Sequence, residues 1–191
     1  MAALALTRWP GVMPLNFSAA YALAFCAGVY FQGKWRWILP LGSLLVSDVA
    51  LNLYYGAPIV DVYIAVKLAT FAAVVWLGTR FSPRQSLGAL VGGGLTGAVL
   101  FYFVTNIASW IFDPAYPKTL GGLIQALTVG TPGWPHTWEF FRNTFLSGGL
   151  FTGLFAGVMK LSEKAASQEE EEPAADEEKA PAGSAPEEAG A

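Results

Sequence analysis

Apolar residues run through the first 162 positions in long blocks, and short polar or Gly/Pro-rich pieces separate them. The blocks predict six helices, at about 17–33, 37–54, 59–78, 86–112, 119–131 and 138–161. Crossing a bilayer takes about 20 apolar residues. The second, third, fourth and sixth segments meet that length and the first nearly does. The fifth, "TLGGLIQALTVG", is short enough to enter the bilayer and return on the same side. The expected fold is all-α, an integral membrane bundle of five to six transmembrane helices.

Tryptophans mark the ends of these segments, where indole rings prefer the headgroup level. Trp35 and Trp37 precede the second helix, Trp76 closes the third, Trp110 closes the fourth, and Trp134 and Trp138 flank the entry to the sixth. Small residues recur every fourth position: Ala20, Ala24 and Gly28; Gly88 and Gly92; Gly93 and Gly97; Gly149, Gly153 and Gly157. Such stripes let helix backbones approach closely, within this bundle or against a partner membrane protein.

Charge sharpens the division of the chain. Nine basic and four acidic residues leave +5 on residues 1–162, whereas two basic and ten acidic residues leave −8 on 163–191. That last stretch has no aromatic residue and little to bury, so a disordered acidic tail is expected there. The single cysteine, Cys26, excludes an internal disulfide, and the single histidine, His136, leaves no Cys/His zinc constellation. "MAALALTRWPGVM" lacks the order of a secretory signal, since Arg8 follows the apolar piece.

Polar side chains inside the apolar blocks are the candidate chemistry. With the N-terminal side taken as side A, Asp48 lies about six residues, or ~9 Å, inside the second helix. Lys67 lies ~12 Å inside the third, and Asn106 ~9 Å inside the fourth. Gln125 falls at the same level if the fifth begins near Thr119. Asn16, Ser18, Tyr116 and Lys118 form a rim above this layer, and Asn52 sits one turn closer to the surface than Asp48. An unpaired amide in hydrocarbon costs about 2–7 kcal/mol, and a charge at the centre of a spanning helix at least ~2.5–3.5 kcal/mol. The layer is therefore read as a polar pocket open to side A, for a small polar or zwitterionic solute. The plainer reading pairs Asp48 with Lys67 as a structural ion pair and lets Asn106 bond a nearby carbonyl.

Catalysis is not expected. The histidine is placed in a loop on side B, no second carboxylate stands beside Asp48, and there is no Gly-Lys-Ser/Thr phosphate loop. No cofactor and no nucleic acid are called for. Five Lys/Arg are assigned to side B (Lys34, Arg36, Arg80, Arg84, Arg142) and four to side A (Arg8, Lys118, Lys160, Lys164), which leans to side B being cytoplasmic.

The stretches "PLNFSAAYALAFCAGVYF", "PLGSLLVSD", "FYFVTNIASWIF…YPKTLGGL" and "FFRNTFLSGGLFTGLFAG" resemble an uncharacterised bacterial family of small membrane proteins labelled as transport proteins. The resemblance covers most of residues 8–160 and implies transport without naming a substrate. More loosely, the chain is similar to the substrate-binding S components of energy-coupling-factor transporters. That likeness implies a docking stripe of Ala20, Ala24 and Gly28 for a coupling membrane subunit. The resulting expectation is a multi-pass protein of the cytoplasmic (inner) membrane, a substrate-binding or permease component. A non-transporting scaffold or assembly factor is the alternative.

Overall fold

The computed structural model describes residues 2–178, with side chains given for 3–168. Among these residues the chain is helical: α1 (Ala2–Arg8), α2 (Ala20–Tyr30), α3 (Trp35–Tyr55), α4 (Val62–Gly78), α5 (Leu87–Phe112), α6 (Leu120–Thr128) and α7 (Thr137–Glu178). The six segments read from the pattern correspond to α2–α7. Helix α1 was not expected, because seven residues are too few for a periodic signal.

Several helix starts are written locally. Asp61, Ser86 and Thr119 precede α4, α5 and α6, and their side-chain oxygens accept from the backbone N–H of Ile64 (2.8 Å), Ala89 (3.2 Å) and Gly122 (3.2 Å). Ser18 Oγ likewise accepts from Ala20 N–H at 3.1 Å. Helix α3 stops at Gly56, whose φ of 65° is the left-handed conformation a glycine takes without strain.

The core lies around α2, whose Ala24 and Phe25 have no solvent exposure. Close packing of α2 on α4 rests on two glycines. A Cβ on Gly28 would stand 2.1 Å from the Val75 carbonyl oxygen, and one on Gly78 would stand 2.2 Å from that of Phe25. The stripe Ala20, Ala24 and Gly28 is therefore spent inside the bundle. It is buried and offers no outer face to a coupling subunit, which corrects the docking expectation. Tyr21, Phe71 and Phe101 form an aromatic triangle beside it, with ring centroids 4.9–5.9 Å apart.

Helix α7 runs opposite to its expected direction. Built Cβ atoms on Gly148, Gly149 and Gly153 meet Ala98, Leu95 and Val91, and one on Gly94 meets Thr152. Positions ascend on α7 as they descend on α5, so the two are antiparallel. Since α5 ends on side A, α7 begins there. The intervening α6 has nine residues, about 13 Å of helix, and the Leu127 carbonyl near its end accepts from the Tyr102 hydroxyl within α5. Thus α6 enters from side A and the chain returns to side A.

Three helices, α3, α5 and α7, are long and apolar enough to cross a membrane, while α2 and α4 are apolar but shorter. The apolar window of α3 has a mean hydropathy of 1.4, yet only 17% of it is buried. The compact unit is Met1–Gly157, ending before the expected boundary at 162. Residues 158–178 continue α7 as a helix, so the first part of the expected tail is described as helical backbone. The side chains from 169 onward and all of 179–191 lie outside the described residues.

Candidate functional site

Asp48 is 2% exposed, on the last two turns of α3, and both of its oxygens are engaged. Oδ2 lies 2.7 Å from Lys67 Nζ on α4, and Oδ1 pairs with the guanidinium of Arg8 at the end of α1. The side chains of Arg8 and Lys67 are 17% and 27% exposed. Three charges from three helices thus form one cluster. The sequence pattern places Arg8 in a loop, and the structure places it at the end of α1. Its only signal in the sequence is an arginine closing the apolar run "AALALT", which a seven-residue helix then folds back onto α3. Thr7 secures that fold: its hydroxyl donates to the Ala3 carbonyl at 2.7 Å and accepts from Ala19 N–H at 3.0 Å.

A cavity of about 840 Å³ between α1 and α3 has Arg8 in its largely apolar wall, and two others have Lys67 in theirs. The smaller of these two, about 280 Å³, is lined by Asn16, Tyr63, Val66, Lys67, Phe101, Thr105, Asn106, Ser109 and Phe140. The larger, about 340 Å³, shares Asn16, Lys67 and Phe101 with it. It adds Thr7, Arg8, Ser18, Tyr21, Tyr55 and Phe71, among others. Asp48 lines neither; it sits behind its two cations.

Lys67 and Asn106 share the wall of the smaller cavity with Asn16, while Ser18 lines only the larger. Asn106 is partly satisfied by its own helix, its Nδ2 donating to the Tyr102 carbonyl at 2.8 Å. Asn16 holds a left-handed backbone, φ 62°, which lets its carbonyl accept from the Tyr21 hydroxyl at 3.3 Å. Thr105, Ser109, Tyr63 and Phe140 were missed. The first two were legible, since Ser109 lies three positions from Asn106 and four from Thr105 along one helix. Phe140 was not, because it depends on the direction of α7.

The remaining expected site residues line neither cavity. Gln125 Nε2 donates to the Gly130 carbonyl at 3.0 Å and closes the end of α6. Asn52 Nδ2 donates to the Pro58 carbonyl at 2.8 Å and ties down the α3–α4 turn. Lys118 donates to the carbonyls of Trp110 and Asp113 and caps the end of α5. Tyr116 is buried in the α5–α6 connection, where burial and the nearby Asp113 carboxylate push its phenol above the usual range, opposed by a bond with Thr131. These four hold loops. His136, in the loop before α7, lies on side A and not on side B; its Nδ1 is 3.2 Å from the Val129 carbonyl.

Residues 1–172 match a family of unknown function, DUF6580. No curated protein and no solved structure matches the chain.

Proposed function

Since the chain belongs to DUF6580, a family described only as of unknown function, we propose its role from geometry: a multi-pass protein of the cytoplasmic membrane that binds a small polar solute between α4 and α5 as the substrate-binding or permease component of a transporter. The observation that carries this reading is the cavity of about 280 Å³ in which Lys67, Asn106, Asn16, Thr105, Ser109 and Tyr63 converge. Polar groups at membrane depth are tolerated where they line a cavity.

What supports membrane insertion is the apolar surface that α3, α5 and α7 leave uncovered. Lys34, Arg80 and Arg142 each stack on a tryptophan, with Arg80 4.5 Å from the Trp76 ring, an arrangement suited to the interface. With α6 turning back, Arg142 counts on side A. Within residues 1–157 the balance is four basic residues on side B (Lys34, Arg36, Arg80, Arg84) against three on side A (Arg8, Lys118, Arg142), which leans to a cytoplasmic side B and a cavity facing outward.

The second reading is a non-transporting scaffold. It is favoured by the local satisfaction of Asp48, Asn106 and Gln125 without any ligand. Thermal unfolding of the purified protein against a panel of sugars, amino acids, amines and carboxylates separates the two. Binding is expected to raise the unfolding temperature for at least one class, and Asn106→Leu to abolish that shift in a protein that still inserts and folds. A flat response across the panel rejects the transport reading.

A further inference from the structure

We propose that the solute is a small organic anion, with a carboxylate- or phosphate-type head held at Lys67 and Arg8 and an apolar body against Phe71 and Phe101. This rests on the reading of the two cavities as a binding site and names the ligand class.

The charge cluster is unbalanced. Arg8 and Lys67 bring two positive charges to one carboxylate, Asp48, leaving a formal +1. The surplus sits on partly exposed cations in the cavity walls, where an anionic ligand would supply the missing counter-charge. Nor does the carboxylate share the cavity wall. Arg8 and Lys67 line the larger cavity, Lys67 lines the smaller, and neither cavity has an Asp or Glu among its lining residues. The other acidic groups at this end, Asp61, Asp113 and Glu139, each have one oxygen engaged by a backbone N–H, that of Glu139 by His136 at 3.2 Å. Asp61 Oδ1 accepts from Ile64 N–H and Asp113 Oδ1 from Ala115 N–H, each at 2.8 Å. A ligand therefore meets cations and neutral groups; the Thr105 and Ser109 hydroxyls spend their protons on the Phe101 and Thr105 carbonyls, which leaves Lys67, Arg8 and the amides of Asn16 and Asn106 as the donors. Donors of this kind form their stronger hydrogen bonds to anions.

The remaining wall sets the body of the ligand. Tyr21, Phe71 and Phe101 all line the larger cavity; Tyr21 and Phe71 are almost fully buried, so Phe101, braced by them, presents most of the apolar surface near the cations. A volume of about 340 Å³ lies at the lower end of ordinary small-molecule pockets. The head-group chemistry has two sources, a free solute or an anionic lipid.

The test compares benzoate, benzamide and benzylamine at matched ionic strength, by thermal shift on the full chain in a neutral detergent. Phosphatidylglycerol and phosphatidylcholine in mixed micelles form a parallel arm. Benzoate is expected to bind about tenfold or more tighter than benzamide, with benzylamine inert. Lys67→Met should lose that preference and Lys67→Arg should keep it. The wild-type comparison decides the matter even if Lys67→Met fails to fold. A Lys67-dependent response to phosphatidylglycerol alone assigns the head group to lipid and overturns the free-solute form. Benzamide or benzylamine matching benzoate overturns the anion while leaving a binding site. No response to any probe removes the site itself.

Discussion

Asn143 on α7 donates its side-chain N–H to the carbonyl of Leu15, 2.9 Å away, in the loop that leads into α2. One bond across 128 positions of chain places the start of α7 beside the start of α2. The α6–α7 connection and the α1–α2 loop must then share a side, with Phe140 and His136 brought to the end where the cavities lie.

That arrangement predicts a labelling pattern. In a Cys26→Ser background, cysteines at Met13 and Thr131 should react with a membrane-impermeant maleimide from one side of intact cells. A cysteine at Gln85, in the exposed α4–α5 loop, should react only after the membrane is opened. Opposite accessibility of positions 13 and 131 would mean that α6 crosses the bilayer. The same experiment reports which face is cytoplasmic.

The charge cluster predicts unequal costs for its three members. Asp48→Asn leaves two half-buried cations without their shared counter-charge. Removing one partner of a fully buried pair costs about 3–5 kcal/mol, and the partial exposure of Arg8 and Lys67 puts the loss at the lower end of that range. Lys67→Met or Arg8→Met leaves a balanced pair, so each should cost no more than about 1–2 kcal/mol. Denaturant unfolding in micelles would measure the three side by side. Equal losses would show that Asp48 is not the shared counter-charge.

How much of this was legible depends on whether a signal is local. Helix positions were, because apolar block length and the capping residues Asp61, Ser86 and Thr119 act within a few residues of the ends they set. That Lys67 and Asn106 stand at a similar depth and line one cavity was also legible, since depth along a straight helix follows from counting residues. Gln125 misled the same count: α6 is short and its amide is drawn to the nearby Gly130 carbonyl. Arg8 and Phe140 were hidden. Their positions depend on where α1 folds back and which way α7 runs, and those are set by contacts such as Thr7 with Ala19 and Asn143 with Leu15 that lie far apart in the chain or in a loop. The small-residue stripes announced close approach without saying what approached.

Those stripes separate into two kinds, and substitution should tell them apart. Gly28 faces the backbone of α4, where a Cβ would stand 2.1 Å from the Val75 carbonyl oxygen and 2.9 Å from the Gly78 Cα. Neither atom belongs to a side chain that can rotate away, so α2 and α4 must separate to admit a methyl group. Gly28→Ala should therefore destabilise by about 1–3 kcal/mol, the usual cost of overpacking. Gly92 on α5 has nothing within 4 Å of a built Cβ. There Gly92→Ala removes backbone freedom from the unfolded chain and improves helix propensity, so a gain of up to about 1 kcal/mol is expected. Unfolding in micelles gives both values, and the aromatic triangle beside α2 supplies a near-ultraviolet signal of whether the first variant has loosened the core. If Gly28→Ala were neutral and Gly92→Ala destabilising, the two glycines would have exchanged roles. The face of α5 bearing Gly92 would then be a packed interface in the membrane, and the α2–α4 contact looser than its backbone distances require.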